Sequence, residues 1–225
     1  MKHPFKSGNR QTKRIKGYSM SKTAAEVDAL KQAPDVQGVI PAIRKRWSTR
    51  AFADKAIPSE TLAKLFEAVR WSASAFNEQP WRFLVGQKGD ETYAKILGSL
   101  VAFNQLWAGK APVLILGLTK KTFAHNGNPN GFALYDLGSA AAHLTLQATE
   151  FGLHTHSMAG LDADKARAAF NIPEDFAIGA AIALGYQGEP SSLSDEHMLT
   201  LEIAPRTRKP LSEIVLKAWE TSAGI

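Results

Sequence analysis

Three short segments of this 225-residue sequence carry the side chains best suited to chemistry. Arg46-Trp47-Ser48-Thr49-Arg50 places two guanidinium groups within five residues, with Ser48 between them. A guanidinium is a planar fork of donors that suits a phosphate or an electron-rich heteroaromatic edge. An arginine at the end of a surface helix can equally be simply solvated. Arg206-Thr207-Arg208, just before Pro210, is a second cationic pair open to the same two readings. Between them, the run from Ser72 to Trp81 is built of small and amide side chains. Such a run lets backbone amides approach a ligand closely, or is just a tight helix-to-strand connection. His154 and His156 could face one way on a strand and share a metal, but no third ligand stands at a recognisable spacing. No metal site is expected.

Several chemistries are excluded outright. The chain has no cysteine, which removes disulfides, thiolate metal sites, iron–sulfur clusters and cysteine nucleophiles. It lacks a G-x-G-x-x-G after a strand, a P-loop, a G-x-S-x-G elbow and an H-E-x-x-H pair. Hydrophobic residues make up 44% and charged residues 21%, the balance of a folded globular chain. The net charge of +6 resides in the first twenty residues, where Lys2, Lys6, Arg10, Lys13, Arg14 and Lys16 stand without an acid. The remaining chain is formally neutral, a poor electrostatic match for a duplex, so nucleic acid is not an expected partner. Residues 1–20 are expected to be a disordered basic tail, followed by one domain over residues 21–225. The longest apolar runs, Ala111–Leu118 and Ala177–Tyr186, are about half a membrane span. With no membrane segment and no secretory signal readable, a cytoplasmic location is expected.

The elements that must position these groups follow from periodicity. Thr23-Ala-Ala-Glu26 is a capping box for a short helix ending before Pro34. Val36, Val39, Ile40 and Ile43 predict a second helix running into Arg44-Lys45-Arg46. Leu62, Leu65, Phe66 and Val69 predict a firm amphipathic helix from Ser59. Alternation at Trp81, Phe83 and Val85 predicts a strand, and Tyr93, Ile96, Leu97 and Leu100 another helix. Ala111–Thr119 is a strand buried on both faces. Phe123–Gly131 is a loop, and Phe132–Phe151 a long helix stopped by Gly152, small-sided around Gly138–Ala142. Asp162 caps a helix through Phe170. Ala177–Tyr186 is a central strand with Ile178, Ala180, Ile182, Leu184 and Tyr186 on one face. A last helix is expected to carry Ile214, Val215, Ala218 and Trp219. Helices and strands alternate without a βαβ rhythm, which favours an α+β fold.

Taken in order, R-x-S-x-R, a small-residue segment ending N-x-Q-P-W, an x-M-x-G loop after a long helix, and R-x-R-x-P resemble the FMN-dependent nitroreductase family. The resemblance covers about residues 37–217. It implies a central mixed or antiparallel sheet flanked by helices, and a homodimer with a long interface helix and one FMN in each shared cleft. By position, Arg46, Trp47 and Ser48 would meet the phosphate and ribityl chain together with Arg206 and Arg208. Arg50 would lie on the N1/C2 carbonyl edge of the ring. Ser74 and Asn77 would come from the partner subunit, and Met158, Ala159 and Gly160 would run beside N5. The chemistry implied is ping-pong: NADH or NADPH reduces the flavin, which then reduces a nitroaromatic, quinone or similar small-molecule acceptor. No side chain is named as a catalytic acid. Reductive dehalogenation or enal reduction on the same fold, or flavin binding without turnover, are the alternatives. Phe76, Trp107 and Phe123 are candidates for the walls of the acceptor pocket, or plain core. The chain departs from the family pattern in three places: Trp47 stands where an arginine or histidine is common, Ala73-Ser74-Ala75 where Pro-Ser-Ser is frequent, and Ala159 where some members carry glutamate.

Overall fold

The computed structural model describes residues 22–34 and 38–225. The expected disordered tail, residues 1–20, and Val36 of the second helical stripe lie outside the described residues.

Helix α1 (Ala24–Lys31) opens on the capping box, with Thr23 and Glu26 satisfying each other's backbone amides. Helix α2 is only Pro41–Lys45. The described part of the expected stripe, Val39, Ile40 and Ile43, does not become a buried face. Pro41 sets the helix start, and Ile40 and Ile43 are both exposed. Helix α3 (Ser59–Arg70) buries Leu62, Leu65 and Val69, as its spacing requires.

Four strands form one antiparallel sheet in the order β1 (Trp81–Gln87), β2 (Val113–Lys120), β4 (Phe176–Gly185), β3 (His154–Met158). Helices cover both faces. Helix α6 (Ala133–Glu150) and α3 pack on one, where Leu137, Leu144, Leu65, Ile115 and Ile182 form the core. Helices α4 (Glu91–Ser99), α5 (Ala102–Ala108) and α7 (Ala163–Phe170) serve the other, around Ile96, Trp107, Leu114 and Ala166. Asp90 joins the end of β1 to the start of α4, accepting from the Gln87 and Tyr93 amides at 2.8 and 2.6 Å. Asp162 caps α7 through the Lys165 amide.

Helix α6 buries Ala133, Leu137, Ala140, Leu144 and Ala148 against the sheet and α3, which uses one face of its small-sided stretch. The opposite face leaves Leu134, Tyr135 and Gly138 exposed. The helix ends in a Schellman motif. Gly152 takes φ +70°, Leu153 N–H donates to Ala148 O at 2.8 Å, and Gly152 N–H to Thr149 O at 3.0 Å.

The face expected for β4 needs correction. Leu116 pairs with Ala181 but Leu118 with Ile178, so β4 carries one extra residue at Gly179-Ala180. That bulge reverses the alternation: Ile178 packs on the α4/α7 side, and Ile182 and Leu184 on the α3/α6 side. Two helices escaped the sequence reading, α5 and α8 (Glu196–Ile203). The expected last helix is also shorter. Only α9 (Leu211–Ile214) is helical, and Leu216–Ala218 (β5) then pairs with Thr221–Ser222 (β6) as a small hairpin. Trp219 stands 86% exposed at its turn, where a helix would have needed it packed.

Strand β1 and α4 touch at backbone distance. A Cβ on Gly86 would lie 2.3 Å from Tyr93 N and 2.4 Å from its Cα, atoms that cannot move without displacing the helix. Gly86→Ala is therefore expected to destabilise the protein by about 3 kcal/mol through overpacking, read as a lower urea midpoint. An unchanged midpoint would show that the helix does not hold this position.

Candidate active site

The segment leaving α2 is fixed by a carboxylate from far along the chain. Glu202, on α8 and 1% exposed, accepts from the Thr49 hydroxyl in a short bond, from Arg50 N–H at 2.9 Å and from Ala51 N–H at 3.4 Å. Thr49 Oγ1, its one proton given to Glu202, in turn accepts from Ala51 N–H at 3.1 Å. From the other side, His156 on β3 sits 2.8 Å from Thr49 O through Nδ1. A carbonyl only accepts, so Nδ1 carries the proton and Nε2 is bare. Thr49–Ala51 is thus clamped between α8 and β3.

Trp47 is not aimed outward. Its ring is 3% exposed, packed with Val27 and Ile203, under the Lys31 ammonium at 5.1 Å, and its indole N–H donates to Asp28 at 2.8 Å. Its side chain is engaged within the protein, which leaves its backbone for the expected contact. Ser48 accepts from Arg46 Nη1 at 3.2 Å.

The four expected arginines are brought together, by two different routes. Arg206 reaches back to the end of α2, donating to Arg44 O at 2.9 Å and to Arg46 O in a short bond. This cross-tie brings residues 206–208 alongside residues 44–48. Arg208 is exposed, and its hydrogen bond within the protein is to the adjacent Thr207 carbonyl at 2.7 Å. Burial and then the Arg208 charge hold Arg46 below the ordinary guanidinium range. Burial, Arg46 and Arg208 do the same to Arg206, with Asp28 partly offsetting them. Among the described residues, none of Arg46, Arg50, Arg206 and Arg208 makes an ion pair. Arg50 is depressed by burial and supported by Glu202. Its Nε is buried without a hydrogen-bond partner, and its guanidinium carbon lies 5.9 Å from the Trp107 ring. Arg46, Arg206 and Arg208 thus repel one another with no carboxylate paired to them, an arrangement suited to a multiply charged anion.

Strand β3 lies beside the segment leaving α2 through His154 and His156, and its end runs on to Met158–Gly160. Met158 is buried in the core next to Ala181, so its side chain does not serve a pocket, whereas Ala159 is exposed. The Gly160 carbonyl accepts from Val101 N–H at 3.1 Å and from the Asn104 amide at 2.9 Å. A Cβ on Gly160 would meet Asn104 at 2.7 Å. The turn is therefore held against α5.

The Ser72–Trp81 connection is held by α6. Buried Asp136 accepts from Ala75 N–H at 3.2 Å, and Ser72 donates to Ser139 at 2.9 Å. Ser74 Oγ accepts from Gln79 N–H at 2.9 Å, and Phe76, exposed Asn77 (both φ 54°) and Gln79 (φ 50°) are left-handed, with Glu78 right-handed between the last two. Phe76 is 83% exposed, edge-on to Phe123 at 5.6 Å. No hydrogen bond, ion pair or ring contact among the described residues joins residues 72–80 to the arginine cluster of the same chain. Trp107, in contrast, is core: it is 1% exposed and stacked with Phe52 and His156.

Three residues of this site escaped the sequence reading, Glu202, Lys31 and Asp136, and His156 was weighed there only as a metal ligand. Glu202 did have a signal. Asp195 caps α8, Met198 and Ile203 are buried on it, and Glu202 sits beside Ile203 where an apolar residue is expected. An acid on an apolar stripe needs partners. His154 and His156 do share a face of β3, but they part company: His154 lies 3.9 Å from Asp28 and edge-on to Trp47, and His156 meets Thr49 and Trp107. Among the described residues no group of three metal-ligating side chains occurs.

An antiparallel sheet sandwiched by helices, with Arg46, Arg206 and Arg208 gathered beside its edge strand β3, defines an α+β protein with a cationic candidate site. The pattern of the nitroreductase family matches residues 43–186, and the chain belongs to that family. A solved structure described as an oxidoreductase containing FMN is 32% identical, with a TM-score of 0.77 over 83% of this chain and 94% of that one. A 15.4 kDa protein of Mycolicibacterium smegmatis is 33% identical over 59% of this chain and 92% of its own length. The NADH dehydrogenase of Thermus thermophilus is 26% identical over 76% of this chain and 92% of its own. The fold is the nitroreductase-like fold that the motifs implied.

Removing the Glu202 carboxylate leaves a hydroxyl and two amides without it. Glu202→Ala is expected to cost about 3 kcal/mol, the scale of breaking a buried charged network, read by urea unfolding. A loss below 1 kcal/mol would show that the clamp is held elsewhere. Burial also pushes the His156 imidazole from 6.5 down to about 4, and His154 in the same direction. The unfolded chain takes up those protons first, so stability is full above pH 6.5 and falls as the pH drops towards 4. The share of His156 is up to about 3 kcal/mol. His156→Asn should flatten this part of the pH–stability curve, and an identical slope in the variant would refute the assignment.

Proposed function

We propose that the protein is an FMN-dependent oxidoreductase that takes electrons from NADH or NADPH and passes them to nitroaromatic, quinone or similar electrophilic acceptors, in ping-pong fashion. The observation that carries this reading is the set of four guanidinium groups, remote in sequence and gathered without ion pairs. The phosphate monoester of FMN is a dianion and suits that donor set. The buried Arg50 Nε–H, without a protein acceptor, suits a carbonyl edge of the ring. The family membership and the likeness to a structure described as containing FMN support the same cofactor.

Bound FMN supplies two-electron chemistry at N5, and the chain's residues bind and bias it. Arg46 and Arg208 would grip the phosphate, with Ser48 and the Trp47 backbone alongside. Arg206 acts mostly by holding α2 and the C-terminal segment together. Arg50 would stabilise negative charge gathering at the N1/C2 edge. The Ala159-Gly160 turn would border N5, and Ala159 leaves room there that a glutamate would fill. Residues 21–225 would form one flavin-binding domain, working as a homodimer in the cytoplasm. Ser74 and Asn77 would be given to the site of the other copy, for which the absence of contacts to their own chain's cluster is support. Phe76 and Phe123 would then wall the acceptor's space. Among the described residues no helix is long and apolar enough to cross a membrane.

The purified protein should be yellow and bleach on anaerobic addition of NADH or NADPH. Arg208→Ala should weaken FMN binding by about 1.5–3 kcal/mol, roughly tenfold to 150-fold, with little change in unfolding midpoint because Arg208 bonds only its neighbour. Arg206→Ala should lower both affinity and midpoint, since it also loses two ties to α2. A colourless protein that takes up no FMN in calorimetry would overturn this function.

A further inference from the structure

The cluster beneath Arg50 contains more than the cofactor reading uses. His156 stacks on Trp107 at 4.4 Å between centroids, tilted by 38°, and Trp107 continues the stack to Phe52 at 6.3 Å. The Arg50 guanidinium lies over the same Trp107 ring at 5.9 Å. Through Nδ1, His156 also holds the carbonyl of Thr49, the residue directly before Arg50. One imidazole therefore touches the backbone that launches the Arg50 side chain and the ring on which that side chain rests. The N–H groups of Arg50 Nε and Trp107 Nε1 are both buried without acceptors. So the guanidinium is placed by packing and by the clamp on Thr49–Ala51, with no ion pair to direct it.

We propose that His156 is a positioning residue for Arg50: by holding the Thr49 carbonyl and stacking on Trp107, it fixes the guanidinium where it favours reduced over oxidised FMN. This rests on the reading that Arg50 meets the N1/C2 edge of the flavin. Reduction adds negative charge at that edge, so a misplaced guanidinium weakens the binding of the reduced form selectively. The phosphate grip, made by other arginines, is untouched. His156 thus acts on the ratio of the two affinities, and a purely structural residue would not.

The test measures the midpoint potential of bound FMN and the dissociation constant for oxidised FMN, in the full chain and in variants. Arg50→Ala checks the underlying reading, and should shift the reduced-to-oxidised affinity ratio by roughly tenfold against the reduced form, a drop of about 30 mV for a two-electron couple. His156→Leu should give a shift in the same direction, with the affinity for oxidised FMN within threefold of the parent. His156→Asn places an amide N–H near the Nδ1 position and should restore most of the potential. His156→Gln places its amide at the Nε2 position and should behave like leucine; it replaces the leucine variant if that one does not fold. If Arg50→Ala shifts the potential and neither leucine nor glutamine does, the positioning role is wrong. An unshifted Arg50→Ala overturns the placement of Arg50 on the ring, and the inference with it.

Discussion

The site depends on one buried carboxylate. Taking Glu202 out of water carries a penalty of several kcal/mol, and such a group persists only where its oxygens are well supplied with donors. Here the donors are the Thr49 hydroxyl and two consecutive backbone amides, with the Lys31 and Arg50 charges nearby. The carboxylate therefore orders the Thr49–Ala51 segment rather than forming an ion pair. That leaves the guanidinium of Arg50 free of a carboxylate clasp and available for other chemistry. Arg206 performs the complementary act, fastening the C-terminal segment to the carbonyls of α2. Between them, two residues near position 200 set the shape of a segment near position 48.

This arrangement places like charges close together in a folded protein. Arg46, Arg206 and Arg208 repel one another, and burial adds to the cost. The rigidity for that burden comes from the sandwich: a sheet buried on both faces, Trp47 locked on Asp28, and His156 wedged between Thr49 and Trp107. Preorganised donors need little rearrangement when an anion arrives, which is how oriented charge becomes effective in a protein interior. On the other face of the sheet, α6 bears another constraint, since its Asp136 and Ser139 hold Ala75 and Ser72, which lead into the left-handed residues Phe76, Asn77 and Gln79.

Much of this was readable in the sequence because local rules decided it. The amphipathic spacing of α3, the capping box of α1, the apolar run of β2 and the Gly152 stop of α6 each act over a few residues, and each stands as read. Long-range pairing was not readable. At the Gly179-Ala180 bulge, Leu137 of α6 packs where a Cβ on Gly179 would come within 2.5 Å of it, and no periodicity announces such a meeting. Ile214, Val215, Ala218 and Trp219 have helical spacing, yet Glu220 takes φ 57° and turns the chain into a hairpin. At the site, the arginines stood out by type and order. Glu202 and His156 did not, because an acid in α8 and a histidine in β3 acquire meaning only once both meet Thr49. Trp47 read as a missing cation, and is an anchor for α1.

On the proposed function, Arg46, Arg50, Arg206 and Arg208 would also tie the protein's persistence in the cell to its supply of ligand. Any dianion that binds the folded chain and not the unfolded one stabilises it by mass action, in proportion to the logarithm of its concentration. Newly made chains would therefore be easiest for proteases to capture while the cofactor is scarce, and steady-state abundance would follow flavin synthesis without any dedicated sensor.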